Sequence, residues 1–284
     1  MNNRNNDQSR YTVKKITVYH FCISLQNYYR QIKGQFVLLN SLEMRINVKK
    51  ILITNDDGID SDGIIRLAKA AAKFGEVWVI APDSQRSAMS HSVTLRHSVE
   101  IWKVDFPVSG VHAYACDGKP ADCVRIGILN VMSERPDYVF SGINYGYNVA
   151  SDLQYSATAG AAFEAAYQKV HTIAFSEEAC DRHEVTDKYL ETIIEELINK
   201  PLLVNQIWNV NFPGCSLSEC KGVLHDRKVA VEGFFNDHYI ESVISDDKIS
   251  YMVEGVRNYS TSDDTDLKAV IENYVSIGIA TNIS

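Results

Sequence analysis

The amino-acid sequence predicts an α/β protein with an open, mostly parallel sheet, helices on both faces and a C-terminal hairpin or arm. Short apolar runs alternate with amphipathic helical segments from residue 49 onward, the pattern of strand–helix–strand units in one sheet. Polar loops follow several of these runs. Hydrophobic residues make up 45% of the 284 residues and charged residues 23%, a composition typical of globular proteins.

The first strand–helix–strand unit spans residues 51–81. The apolar run 51–53 is a predicted buried strand, and a loop of small and acidic residues follows it at 54–58. We expect a helix to begin near Asp62, because apolar residues recur at helical spacing from Ile64, and Gly75 is placed to end it. The run 77–81 is the next strand, and such crossovers are nearly always right-handed.

The alternation continues to residue 211. It predicts helices at 120–132, 158–167 and 187–198 and strands at 138–140, 172–175 and 207–211. After Gly222 the segments become shorter, and we interpret 228–231 and 248–253 as hairpin strands or an arm. A last helix at 265–272 precedes a strand at 274–277.

This pattern divides the chain into an N-terminal extension (1–43), an α/β body (44–222) and a C-terminal arm with a closing helix and strand (223–284). The extension mixes polar and aromatic residues without clear periodicity. One hypothesis is that Met44 is the natural start and that the extension is disordered or non-native. The alternative is a short packed helix at 21–29. The intact mass of the natively expressed protein would distinguish the two.

Composition and charge exclude several functional classes. Lys and Arg total 28 against 36 Asp and Glu, and the resulting net charge of −8 opposes binding to nucleic-acid polymers or anionic membranes. The sequence contains no apolar run of about 18 residues that could span a bilayer and no signal peptide. The six cysteines are scattered, and Cys215 and Cys220 lack a second close Cys/His pair that would complete a zinc site. We therefore expect a cytoplasmic protein with reduced thiols.

The loop after the first strand carries two adjacent carboxylates, Asp56 and Asp57, between Asn55 and Gly58. Adjacent carboxylates repel each other unless a cation lies between them, and Mg²⁺ and Mn²⁺ prefer such oxygen ligands. The competing interpretation is a polar turn in which Gly58 adopts a positive φ.

The second loop carries hydroxyl groups, a guanidinium and an imidazole. Arg86 can donate a fork of hydrogen bonds to phosphate, and the hydroxyls can donate to phosphoryl oxygens or ligate a metal. His91 can act as a general acid or base near neutral pH. The alternative is a solvent-exposed loop whose histidine has only a structural partner.

The third loop runs from 141 to 148 and leads to Ser156 and Thr158 at the start of an Ala-rich helix. Exposed N–H groups at a helix N-terminus bind anions, although Ser156 could equally be a simple N-cap. The segment lacks the GxxxxGK[ST] pattern of a P-loop. Together the three loops predict a metal-dependent phosphoester hydrolase.

Five sequence blocks stand in order along residues 44–280: ILITNDDGIDSDGI, APDSQRSAMSHSVTL, DGKPADCV, SGINYGYNVASDLQYSATAGAAFEAA and ENYVSI. They resemble the signature blocks of the SurE family, the stationary-phase survival proteins or 5′-nucleotidases. The resemblance implies a Rossmann-like body with an arm exchanged between subunits, and hence a homodimer or homotetramer. It also implies release of phosphate from nucleoside 5′-monophosphates, with some action on 3′-monophosphates and short polyphosphate.

The resemblance further implies one divalent metal ion, Mg²⁺ or Mn²⁺, as cofactor. Its ligands would be Asp56, Asp57, Ser87 and Asn144. The phosphate would lie near Asn55, Ser156 and Thr158, and we add Arg86 as a phosphate ligand and His91 as a proton-transfer residue.

The chain departs from the family pattern at several positions. Ala157 replaces the Gly of the usual YSGT block, Lys119 replaces the Thr of GTPAD, and Gly278 follows YVSI in place of Thr. Ala157 adds a methyl group where the backbone approaches phosphate, or where the backbone adopts a conformation that Ala resists. This leaves a rival hypothesis, a nucleotide-binding module with weak or lost turnover. A receiver domain is disfavoured because residues 141–144 contain no carboxylate.

Overall fold

A computed structural model describes residues 48–282, together with Gln31 and Lys33. Gln31 and Lys33 are helical and exposed, and they belong to a unit (residues 1–48) that is compact apart from the rest of the chain. The expectations about Met44, the extension 1–43 and a helix at 21–29 concern residues outside the described part. The second compact unit comprises residues 49–284 and contains all the elements named below.

A nine-stranded sheet forms the centre of this second unit, in the order β3–β4–β2–β1–β5–β6–β7–β11–β8. The strands are β1 (Lys50–Thr54), β2 (Glu76–Pro82), β3 (Ile101–Lys103), β4 (His112–Cys116), β5 (Tyr138–Tyr145), β6 (His171–Glu177), β7 (Gln206–Phe212), β8 (Val223–Leu224) and β11 (Val275–Thr281). All pairs from β4 to β7 are parallel, so the carboxyl ends of these strands meet at one edge. Strands β3 and β11 pair antiparallel with β4 and β7.

Helices cover both faces of the sheet, which confirms the predicted fold class. One face carries α1 (Asp62–Ala71) and α4 (Glu184–Leu197), joined by the ion pair of Arg66 with Asp187 at 2.8 Å. The other carries α2 (Pro120–Ile126) and α3 (Ala157–Tyr167), joined by Arg125 and Glu164 at 3.2 Å. Most apolar side chains of β1, β2, β5 and β6 are buried and fill the space under both layers.

Several predicted elements differ from the observed ones. The expected helix 120–132 is α2 followed by a π-helical turn, Gly127–Val131, in which the Met132 N–H donates to the Gly127 carbonyl at 3.0 Å. Strands β3 and β4 were not predicted, because each is short and β4 alternates alanine with larger residues instead of forming an apolar run. The expected strand at 228–231 is wrong: only Lys228 forms an isolated bridge, with Thr265.

The C-terminal residues split between the main sheet and a hairpin. Strands β8 and β11 and helix α5 (Asp266–Ile271) pack with the body, whereas β9 (Phe235–Ser245) and β10 (Lys248–Arg257) form a separate two-stranded sheet whose residues are all exposed. The buried Asp266 carboxylate accepts hydrogen bonds from the N–H groups of Ala150, Ala230 and Leu267. Burial raises the pKa of Asp266 to about 6, although these hydrogen bonds act to lower it. None of the helices in the described part is long and apolar enough to cross a bilayer.

Candidate active site

The two adjacent carboxylates lie directly after β1 and point to different neighbours. The Oδ1 atom of Asp56 accepts from the Thr158 hydroxyl at 2.5 Å, and its backbone carbonyl accepts from the Arg86 N–H at 2.7 Å. The Oδ2 atom of Asp57 accepts from the Tyr145 N–H at 2.9 Å. The first loop is therefore hydrogen-bonded to both of the other loops that the sequence singled out.

Burial dominates the electrostatics of this pair. Removal from water raises the pKa of Asp56 to about 7, the Asp57 charge adds to the rise, and the Thr158 hydrogen bond opposes it. Burial also raises the pKa of Asp57, while hydrogen bonds from the Tyr145 N–H and Gln85 lower it. A divalent cation between the two groups would favour their ionised forms, so the donor set fits such an ion.

Asn55 shapes the first loop. Its Nδ2 group donates to the Gly58 carbonyl at 3.0 Å and to Ser61 Oγ at 2.7 Å, and its Oδ1 accepts from the Gly58 N–H at 3.2 Å. Gly58 has φ +102°, which a residue with a side chain rarely adopts. Because both amide hydrogens of Asn55 are engaged within the loop, the expected contact with phosphate has no free donor in this arrangement.

The second loop brings Ser87 to the same sheet edge. Gln85 donates through Nε2 to Ser87 Oγ at 3.1 Å, and the same side chain acts to lower the pKa of Asp57. Arg86 uses its Nη2 atom for Asp83 at 3.0 Å and for the Asp117 carbonyl at 3.3 Å. Ser87 therefore follows a residue whose N–H is bonded to the Asp56 carbonyl, and the Arg86 Nη2 atom is held by the loops after β2 and β4.

His91 pairs with a carboxylate of α3, and not with Asp56 or Asp57. Its Nε2 atom is 2.9 Å from Glu164 Oε2 on α3, and Glu164 also pairs with Arg125. The hydrogen bonds with His91 and Gln168 and the Arg125 charge outweigh burial and lower the pKa of Glu164. The contacts of His91 are those of a residue that ties the second loop to α3.

The third loop and the start of α3 complete the site. Asn144 donates through Nδ2 to the Gly146 carbonyl at 2.7 Å, which leaves its Oδ1 as the atom available to a cation. Ser156 is the N-cap of α3, and its Oγ accepts from the Ala159 N–H at 3.0 Å. Ala157 is the first residue of α3, where alanine is favourable. The concern that Ala157 resists the required conformation is therefore removed.

The structure thus brings together Asp56, Asp57, Ser87, Asn144 and Thr158, from three loops and one helix start. The candidate metal ligands among them are Asp56, Asp57, Ser87 and Asn144, which supply two carboxylates, a hydroxyl and an amide oxygen. Among the described residues there is no cluster of three or more His, Cys, Asp or Glu side chains arranged for a metal ion, so any ion here would depend on neutral oxygens as well.

The sequence patterns did not single out Glu177, a buried carboxylate in the lining of the same region as Asp57. Glu177 ends β6 and is buried, although the predicted strand stopped at Phe175. Its carboxylate pairs with Arg66 at 2.7 Å, accepts from Thr186 at 2.6 Å and lies 3.0 Å from His183 Nδ1. A carboxylate two residues beyond an apolar run, at a strand end, is the signal that could have found it.

Comparisons with known proteins place the sequence in a family. The family model "Survival protein SurE" matches residues 51–231. A protein named 5′-nucleotidase SurE from Clostridium botulinum (strain Loch Maree) is 35% identical over 233 residues, covering 80% of this chain and 90% of the relative. One of the same name from Alkaliphilus metalliredigens is 36% identical over 234 residues, covering 80% of this chain and 91% of the relative.

A solved structure shares the fold as well. The crystal structure of SurE protein from Aquifex aeolicus matches with a TM-score of 0.71 and 29% identity, and the match covers 83% of this chain and 94% of that one. The family model covers more than half of the sequence, and relatives above 30% identity cover most of it. The chain belongs to the SurE family.

Proposed function

We propose that the protein is a metal-dependent 5′-nucleotidase that releases phosphate from nucleoside 5′-monophosphates. One observation carries the proposal: Asp56 and Asp57 are hydrogen-bonded to Thr158 at a helix N-terminus and to the loops that hold Ser87 and Asn144. Curated relatives covering most of the chain carry the name 5′-nucleotidase SurE. We extend the proposal to 3′-monophosphates and short polyphosphate as further substrates.

The cation in this proposal is Mg²⁺ or Mn²⁺, with Asp56, Asp57, Ser87 and Asn144 as its ligands. These side chains offer hard oxygen donors, which suit both ions. When bound, the cation would supply electrophilic polarisation of the phosphoryl group and a lowered pKa of water.

The residues of the chain itself would bind and orient the phosphate. The start of α3, with Ser156 and Thr158, presents the positive end of an 11-residue helix. Arg86 engages only its Nη2 atom with described residues, so Nε and Nη1 remain to donate. Asn55 supports the first loop from within, and the placement of His91 on Glu164 favours a positioning role over proton transfer.

We also propose that the hairpin β9–β10 joins copies of the chain into a homodimer or homotetramer. Every residue of both strands is exposed, including a large apolar set: Tyr239, Ile240, Val243, Ile244, Ile249, Tyr251, Met252, Val253 and Val256. Exposed apolar patches of this kind mark interaction sites. The five described cysteines are free thiols, which supports placing the protein in the cytoplasm.

Phosphate release from a panel of nucleoside monophosphates tests the enzyme proposal. We expect release that requires Mg²⁺ or Mn²⁺ in the wild type and is lost in Asp56→Asn and in Asp57→Asn, each with an unchanged far-UV circular dichroism spectrum. The matched control is Asp105→Asn, an exposed carboxylate between β3 and β4, which should keep wild-type activity. Metal-independent release, or none from any substrate, would contradict the proposal.

A further inference from the structure

A cleft opens beside Asp57, on the face of the sheet that carries α1 and α4. Its volume is about 370 Å³, within the range of small-molecule sites. The lining includes Asp57, Asp62, Tyr145, Glu177, Asp181 and His183. Thr158 and the start of α3 belong to the opposite helix layer. A substrate whose phosphate lies at the start of α3 therefore has an open space for its other end across Asp57.

The carboxylates around the cleft favour an uncharged group over a second phosphate group. Glu177 is neutralised by Arg66, which contacts it through two nitrogen atoms and also pairs with Asp187. Apart from His183, the described lining offers no basic side chain, and Asp62 and Asp181 add carboxylates. Such a wall favours a neutral group that donates hydrogen bonds.

Two side chains of the cleft lining, Tyr145 and Asp181, are exposed and have no side-chain partner among the described residues. Tyr145 is 53% exposed, and no ring contact or side-chain hydrogen bond joins it to other described residues. Asp181 is exposed and makes no ion pair within that same part of the chain. An exposed aromatic ring offers a stacking surface to any nucleobase, whereas a carboxylate selects among bases by the donors that it meets.

We propose that this cleft binds the nucleoside of the substrate, with Tyr145 stacked on the base and Asp181 accepting hydrogen bonds from its edge. The inference rests on the proposed nucleotidase function. Guanine presents an adjacent N1–H and N2–H₂ pair that matches both oxygens of a carboxylate, whereas adenine presents one donor beside an acceptor. The cleft therefore selects guanosine over adenosine monophosphate.

Steady-state kinetics with three substrates test the assignment: guanosine 5′-monophosphate, adenosine 5′-monophosphate and ribose 5-phosphate, which has no base. For Tyr145→Ala we expect kcat/KM to fall about tenfold on both nucleotides, mainly through KM, and to stay within about twofold on ribose 5-phosphate. For Asp181→Asn we expect the ratio of guanosine to adenosine monophosphate turnover to fall about tenfold. The controls Tyr259→Ala and Asp105→Asn, both exposed and outside the cleft lining, should match the wild type.

Binding of guanosine, which carries no phosphate, separates this proposal from the enzyme proposal. We expect calorimetric titration to show guanosine binding that Tyr145→Ala weakens about tenfold. Equal losses on nucleotides and ribose 5-phosphate, an unchanged base ratio in Asp181→Asn, or guanosine binding that is independent of Tyr145 would overturn the cleft assignment. Absence of phosphate release from every ester by the wild type would instead overturn the proposed function.

Discussion

Substitution of Gly160 by alanine tests how tightly the second loop is held against α3. A Cβ atom built on Gly160 would lie 2.3 Å from the Ser90 carbonyl oxygen, 2.7 Å from the Ser90 carbonyl carbon and 2.8 Å from His91 Cα. These are backbone atoms, so no side-chain rotation can relieve the contact. Ordinary contact begins at 3.4 Å. The loop that carries Ser87 must therefore retreat by about 1 Å, a displacement large enough to cost catalysis about a hundredfold.

The loop has little freedom to retreat elsewhere. The Ser90 N–H donates to the Tyr155 carbonyl at 3.0 Å, the Ser90 hydroxyl donates to the Gln154 carbonyl at 2.6 Å, and His91 pairs with Glu164. Alanine favours the helical state by about 1 kcal/mol over glycine, whereas overpacking costs about 1–3 kcal/mol. We therefore expect the free energy of unfolding to fall by no more than about 2 kcal/mol while activity falls about a hundredfold.

The assay combines metal-dependent phosphate release, Mn²⁺ affinity by titration and urea unfolding. Gly127→Ala is the matched control, because the added Cβ would meet the ends of flexible side chains, Ile80 Cδ1 at 2.9 Å and Leu52 Cδ2 at 3.1 Å. We expect Gly127→Ala to retain most of the activity and Gly160→Ala to lose both activity and Mn²⁺ affinity. Wild-type activity and Mn²⁺ affinity in Gly160→Ala would refute the idea that this loop positions a metal ligand.

Three further predictions concern stability and assembly. Arg66→Ala leaves the buried Glu177 carboxylate without its guanidinium partner and should lower the free energy of unfolding in urea by about 3 kcal/mol. The control Lys73→Ala removes an exposed ion pair and should change that free energy by less than about 1 kcal/mol. Equal effects of the two substitutions would contradict this prediction. Because the pKa of Asp266 is raised from 3.8 to about 6, the folded state binds its proton more tightly, so this group's contribution to stability falls as pH rises from about 4 to 6 and is constant above. Asp266→Asn should flatten the dependence of Tm on pH across that window, and an unchanged slope would show that other groups cause it. Ile240→Glu places a charge on the exposed hairpin and should shift the protein to monomer in light scattering coupled to size-exclusion chromatography; an unchanged mass would separate the hairpin from assembly.

The sheet and the contact between the three loops at its edge could be predicted from the sequence for a physical reason. Buried parallel strands are short apolar runs, and loops at their carboxyl ends meet at one edge whatever the detailed packing. Asp56 and the loops of Ser87 and Asn144 therefore met as expected. The hydrogen-bond partners within the site could not be predicted, because the type of a residue does not determine the direction in which its side chain points. Asn55 donates into its own loop, and His91 pairs with Glu164.

Polar residues inside a strand explain why Glu177 was missed. Strand β6 continues through Ser176 and Glu177, which are buried but polar, so the apolar run that marks a strand ends at Phe175. Burial of Glu177 depends on Arg66, a residue 111 positions away in the chain. A local sequence pattern contains no information about a partner at that separation. The cleft beside Glu177 could not be predicted from the sequence for the same reason.

The Asp266 carboxylate has a consequence for how the hairpin can move. It binds the N–H groups of Ala150 and Ala230 together, and the Ser151 N–H donates to the Glu232 carbonyl at 3.1 Å. The chain leading into β9 is thereby fastened to the turn that leads into α3. If the hairpin is exchanged between copies of the chain, the hinge must lie after Phe234, well after Gly222. The segment that moves is then residues 235–257 alone. The length of this segment limits the distance between the α/β bodies of two copies that exchange hairpins.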